Sequence, residues 1–117
     1  MTVREIREIL DAEIFCCCHI LDREMYVACG SDALSDILFS AKDETVLLSG
    51  LNDVQLVRTA DLLDMDCVIL VRGKTPEPEL IELARRQEIC VMSTEHSMFT
   101  ACGLLYKNGL RGGGECE

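Results

Sequence analysis

Few folds can accommodate the stretch 45–92. It reads TVLLSG-LNDVQLVRTADLLDMD-CVILVRG-KTPEPELIELARRQE-ICVM, three short apolar runs separated by two amphipathic segments. The runs at 46–48, 67–71 and 89–92 are bounded by polar or glycine-containing turns, and continuous apolar runs of this size suit parallel strands covered on both faces. In the first segment Val54, Val57, Ala60 and Leu63 fall on one helical stripe. In the second, Leu80, Leu83 and Ala84 face inward while Glu82, Arg85 and Arg86 face out. Strand, helix, strand, helix, strand with right-handed crossovers predicts an open α/β sheet, mainly parallel, with helices on both faces.

At 117 residues the chain has the size of one domain, and its 49% hydrophobic content excludes a disordered chain. The net charge of −10 excludes a nucleic-acid partner, because no basic stripe exists to neutralise phosphates. It also disfavours anionic membrane surfaces. No run reaches transmembrane length, and the charged, amphipathic N-terminus is unlike a signal peptide, so a soluble cytoplasmic protein is expected. The eight cysteines are then expected as reduced thiols, and no C-x-x-C pair occurs.

Ahead of the central stretch, Thr2-Val3-Arg4-Glu5 has the form of a capping box, opening an N-terminal helix with Val3, Ile6 and Leu10 as its buried stripe. Residues 14–21 and 25–29 are strand-like, separated by the polar turn 21–24, and are placed to pair as a β-hairpin. Gly30-Ser31-Asp32 opens a helix with Leu34, Ile37, Leu38 and Ala41 as its stripe. Asn52 with Gln55 forms a capping pair. Thr75-Pro76 reads as N-cap and first helical residue of the next helix. Thr94 is expected to cap a last helix over 95–107 that Gly109 ends. That helix carries Met98, Phe99, Ala101, Cys102, Leu104, Leu105 and Tyr106, more apolar residues than one face holds, so it is either deeply buried or half of an oligomer interface. The domain thus spans 1–110, and 111–117 reads as a flexible tail.

Cys16-Cys17-Cys18-His19 raises the question of a metal. On an extended strand Cys16 and Cys18 point to one face and Cys17 and His19 to the other, so the thiolates cannot converge tetrahedrally. The reading is core packing; the alternative is a site shared between subunits or on a loop. Cys29, Cys67, Cys90 and Cys102 lie in apolar runs and read as core, whereas Cys116 lies on the tail. His96 reads as a solvated histidine of the last helix's first turn. There is no Gly-x-Ser-x-Gly, no His-Glu-x-x-His and no phosphate-loop or dinucleotide fingerprint, so neither a catalytic centre nor a cofactor is expected. The scattered carboxylates read as solvated helix faces.

In an open parallel sheet, ligands bind beyond the carboxyl ends of the strands. Here those ends carry Gly50 and Asn52, then Arg72, Gly73, Lys74 and Thr75, then Ser93, Thr94 and His96. Each leads into a helix N-terminus, and Arg72 with Lys74 is the local positive pair of a very acidic chain. Any ligand here is expected to be anionic, such as a nucleotide or another phosphorylated small molecule. The bland reading is a set of ordinary turns.

Across residues 2–110 the chain resembles the DRTGG domain family. The likeness lies in Val3-Arg4-Glu5-Ile6, Ala28-Cys29-Gly30-Ser31-Asp32, Val46-Leu47-Leu48-Ser49-Gly50, Val71-Arg72-Gly73 and Met98-Phe99-Thr100-Ala101-Cys102-Gly103. Where the pattern has Asp-Arg, this chain has Leu51-Asn52, and where it has Thr-Gly-Gly, Val71-Arg72-Gly73. Only the glycines carry over. Such domains accompany CBS domains and phosphotransacetylases, and their fold is similar to N-terminal domains of HPr kinase/phosphorylase and Mur ligases. The resemblance implies an α/β module with regulatory or assembly duties, and, through the frequent nearness of related genes to iron-only hydrogenases, an anaerobic bacterial source. The expectation is a non-enzymatic regulatory or interaction module, homodimeric or with another protein partner, sensing a small anion at the strand ends. The alternatives are a metal or redox accessory of hydrogenase metabolism using Cys16–Cys18 and, last, an enzyme.

Overall fold

The structure, a computed structural model, describes residues 1–33 and 45–112. In chain order the elements are α1 (Val3–Leu10), β1 (Glu13–Cys16), a 3₁₀ turn (Cys18–Ile20), β2 (Val27–Gly30), β3 (Thr45–Ser49), α2 (Val54–Leu62), β4 (Cys67–Leu70), α3 (Pro78–Arg86), β5 (Cys90–Ser93), α4 (Met98–Lys107) and β6 (Arg111–Gly112). They build a six-stranded sheet in the order β1-β5-β4-β3-β2-β6. Every neighbouring pair is parallel except β1 with β5. The α/β fold with an open, mainly parallel sheet is as expected, and helices cover both faces. The helix expected from Gly30 to Ala41 lies outside the described residues from position 34 onward. No helix among the described residues is long and apolar enough to cross a membrane.

Alternation along the buried strands divides the core in two. Val46, Leu48, Ile69, Val71 and Met92 point to one face and pack with Val3, Ile6 and Leu10 of α1 and Ala101 and Leu105 of α4. Leu47, Val68, Leu70 and Val91 point to the other and meet Leu56, Val57 and Ala60 of α2 and Leu80 and Ala84 of α3. Both faces being covered is why the strands read as unbroken apolar runs rather than alternating ones. Each fully buried Leu or Ile here contributes roughly 1.5–3 kcal/mol relative to leaving it in water.

The N-terminus forms the predicted capping box. Thr2 Oγ1 accepts the Glu5 amide at 3.1 Å, and Glu5 Oε1 accepts the Thr2 amide at 2.9 Å. The hydrogen bond from the Thr2 backbone, then that from its hydroxyl, holds the Glu5 carboxyl below the usual carboxylate range.

The expected hairpin does not form. β1 ends at Cys16 and pairs with β5, while β2 lies near the opposite end of the sheet between β3 and β6. Cys17 turns the chain through a left-handed conformation (φ 59°) into the 3₁₀ turn. The polar segment after it serves α1 instead of a hairpin turn. Its carbonyls at Arg23 and Leu21 accept the orphan amides of Val3 and Arg4 at 3.1 and 2.8 Å. At the other end of the chain, Arg111 and Gly112, assigned by the sequence reading to the tail, pair with Val27 and Ala28 as β6.

Three helix starts are also displaced from their expected places. Asp53, rather than Asn52, caps α2, accepting the Gln55 amide at 2.8 Å. Pro78, rather than Pro76, is the first residue of α3, with Glu77 at its N-cap. Ser97, rather than Thr94, caps α4. In each case the expected residue is engaged by tertiary contacts, described next.

Candidate ligand site at the strand ends

The parallel strands β2, β3, β4 and β5 bring their carboxyl ends to one rim of the sheet. Because β1 runs against β5, its first residue Glu13 stands at the same rim beside Ser93. The rim divides into two halves of different character.

Over β3 and β4, donors gather on one carboxylate. Asp32 Oδ1 accepts the Gly50 amide at 2.5 Å and the Ser49 hydroxyl at 3.3 Å, and Arg72 Nη2 lies 3.7 Å from Asp32 Oδ2. A Cβ at position 50 would meet the Arg72 guanidinium and come within 3.2 Å of the Asp32 carboxylate, so glycine lets both side chains close over the backbone here. Lys74 Nζ donates to the Gly50 carbonyl, placing a second cation beside the first.

Over β5 and β1 lies a recess of about 160 Å³. Gly73, Lys74, Thr75 and Ser93 line it together with Asp11, Glu13 and Glu95. Three carboxylates against one ammonium make this half unfavourable for an anion.

The turn between the halves is strained. Arg72 (φ 64°) and Gly73 (φ 66°) are both left-handed, which for the arginine costs roughly 1–2 kcal/mol. Two hydrogen bonds of 2.8 Å hold the turn, from the Arg72 amide to the His96 carbonyl and from the Gly73 amide to the Thr94 carbonyl. Glu95 packs its carboxylate where a side chain at 73 would sit.

The remaining expected site residues play supporting parts. Asn52 Nδ2 donates to the Thr75 carbonyl at 2.7 Å, and its Oδ1 accepts the Glu77 amide at 2.9 Å, tying the β3 and β4 loops together. Ser93 Oγ donates to the Lys74 carbonyl at 2.7 Å. Thr94 is buried and donates to the Leu10 carbonyl at 2.7 Å, behind the rim. His96 precedes α4 rather than lying in its first turn, and meets the rim through its carbonyl. Sequence reading missed Asp32, Asp11 and Glu13. The first was read as a helix start, and the last two were hidden by the expected hairpin, which moved β1 away from β5.

A second surface stands out on α4. Phe99 is 87% exposed and Tyr106 55% exposed. With Met98, Cys102, Gly103 and Lys107 they line a shallow apolar groove of about 410 Å³. The Arg111 guanidinium lies 4.4 Å over the centre of the Tyr106 ring.

The cysteine run does not converge. Cys16 Sγ donates into the core to the Ile89 carbonyl at 3.5 Å, Cys17 Sγ donates to the Ala84 carbonyl at 3.8 Å, and Cys18 is exposed. Among the described residues no three His, Cys, Asp or Glu side chains gather as a metal would require. Burial pushes the Cys16 thiol up and, with Cys16 beside it, the Cys17 thiol up to about 11. Cys67 and Cys90 are direct neighbours across β4 and β5. The neighbouring Cys90 thiol, and then burial, raises the Cys67 thiol, and Cys67 lowers that of Cys90. The raised thiols of Cys16, Cys17 and Cys67 are held in the protonated, unreactive form.

Such an open α/β sheet, with a polar rim at its strand ends, defines a small doubly covered α/β domain. The sequence matches the DRTGG domain family over residues 5–107, and the chain belongs to that family. In structure it is similar to the CBS and DRTGG domains of the regulatory region of a Clostridium perfringens pyrophosphatase, solved in complex with its activator, diadenosine tetraphosphate. The TM-score is 0.70 and the identity 21%; the match covers 89% of this chain and 45% of the other. This chain therefore spans less than half of that regulatory region, and the likeness establishes the fold. No curated protein matches the sequence.

Proposed function

We propose that the chain is a non-enzymatic regulatory module that acts through protein contact, as a homodimer joined across α4. The outer face of that helix carries the reading. Phe99, Gly103 and Tyr106 recur at helical spacing on one side, with both aromatics exposed. Among the described residues nothing lies within 4 Å of where a Cβ on Gly103 would stand. A mid-helix glycine costs roughly 0.5–1 kcal/mol relative to alanine, and a second helix crossing at this point accounts for it. Electrostatics favour a second copy as the occupant. The chain has 21 acidic residues, yet none lies between His96 and Gly112, while Lys107 and Arg111 do. Two chains of charge −10 repel each other least when they meet on this face. A twofold contact would present the same patch from both sides. Light scattering at micromolar concentration tests this: twice the chain mass is expected, and a monomer would sink the homodimer.

A second role is favoured by the convergence of the Gly50 amide, the Ser49 hydroxyl and Arg72 on one anionic group. Those are the donors a phosphate takes. The module is proposed to sense a small phosphorylated ligand there, on the β3–β4 half of the rim. The activator of the similar pyrophosphatase region, a phosphorylated nucleotide, supports this class of ligand. Its seat does not transfer with the fold, because that region is more than twice the matched part.

A further inference from the structure

We propose that Asp32 is a built-in competitor for the anion seat, and that a phosphate-bearing ligand binds by displacing its carboxylate from Gly50 and Arg72. This rests on the reading of the rim as a ligand site. The other amides of the rim are bound differently. Those of Arg72 and Gly73 are taken by backbone carbonyls, and that of Leu51 by the Ser49 hydroxyl two residues before it. The two carbonyls cannot leave without moving the turn itself, and the Ser49 hydroxyl is a neutral group of the same loop. The Gly50 amide is held by a charged side chain from another part of the chain, which needs only to rotate away.

The cost of that rotation is small. Asp32 and Arg72 are each more than half exposed and their ion pair is 3.7 Å long, so the pair adds little to stability. Displacement must accompany binding at the Gly50 amide, because its single N–H cannot serve two anions at once. Lys74, already on the Gly50 carbonyl, adds charge for a ligand that carries more than the single negative charge of a carboxylate. The seat is therefore closed at rest by a weak internal ligand and opened by a stronger external one. The apparent affinity is lowered by the fraction of molecules in which Asp32 is seated.

The test is isothermal titration calorimetry with ATP, inorganic phosphate and adenosine as probes. The proteins are the unmodified chain, Asp32→Ala, Asp32→Asn and Asp32→Ala with Arg72→Ala. Asp32→Ala should bind ATP about tenfold more tightly than the unmodified chain. Inorganic phosphate should show a gain of the same sign, and adenosine none. Asp32→Asn, which keeps an acceptor for the Gly50 amide but loses the charge, should fall between. Adding Arg72→Ala should remove the gain. If Asp32→Ala lowers the melting midpoint, the Asn variant carries the comparison, because it can preserve the loop. Equal or weaker binding by both Asp32 variants, with binding still dependent on Arg72, would overturn the competitor and leave the ligand site standing. Binding that survives Arg72→Ala, or no binding of any phosphate by any variant, would overturn both.

Discussion

The strand-end rim and the outer face of α4 are opposites. The rim is polar and satisfied from within: Asp32, Asn52, Ser93, and the His96 and Thr94 carbonyls each meet a donor or acceptor. The face of α4 is apolar and bare, with Phe99 almost wholly in water. A satisfied polar surface gains from a partner only by exchange, one hydrogen-bonded group for another. A bare apolar surface gains by simple coverage. The two surfaces approach each other at Gly30, the end of β2. A side chain there would strike Cys102 and Met98 of α4, and the next residues lead to Asp32.

The comparison breaks first at Phe99. Phe99→Glu should weaken self-association by about a hundredfold, since it removes a large apolar contact and buries a charge. Light scattering should then report single chains. The melting midpoint of the separated chain should hardly move, because Phe99 is almost wholly exposed. An unchanged mass would show that copies meet elsewhere.

Gly73→Val acts on the rim alone. A β-branched residue at φ 66° that also displaces Glu95 should cost about 2–3 kcal/mol in urea unfolding, with the association state unchanged. A loss under 0.5 kcal/mol would mean that the turn readily adopts another conformation.

Thr2→Ala, remote from both surfaces, should cost about 1 kcal/mol through the lost cap and alter neither mass nor ligand binding. The Glu5 half of the same box adds a pH signature. Its folded pKa lies below the ordinary 4.5, so its contribution is complete above that value and disappears as pH falls through the folded one. Thr2→Ala should therefore flatten the acid limb of the stability curve; an acid limb identical to the unmodified chain's would remove the capping box as its cause.

The smallest effect is alkaline. Cys17 rises from 9.0 to about 11, so the folded chain keeps a proton there that the unfolded chain releases. Its contribution is complete below pH 9.0 and is lost as pH climbs through about 11. Cys17→Ser should reduce that slope, and an unaltered slope would assign it to the other buried thiols.

The middle of the fold is legible in sequence because its strands are covered on both faces and its helices carry a single stripe. Periodicity alone therefore places β3 to β5, α2 and α3. The edges are not, because pairing with β5 rather than β2 is decided by contacts far along the chain. Nothing local announces the left-handed turn at Cys17. The caps failed for a related reason. Ser, Thr and Asn serve tertiary contacts as readily as helix starts, and Thr94 and Asn52 were claimed by Leu10 and by Thr75 and Glu77. At the rim, Gly50, Arg72 and Lys74 could be found from strand order. Asp32 could not, since its role depends on the loop after β2 crossing to β3.

The strand order also bears on how the chain folds. β3, β4 and β5 join neighbours along the chain through single helical crossovers, whereas β6 binds Arg111 to Val27 and β1 binds Glu13 to Ser93. Closing those long loops costs more entropy than closing the central ones, and each edge strand has only one neighbour to reward it. Assembly is thus favoured from the centre outward, with the two chain ends docking last and exchanging their amide hydrogens first.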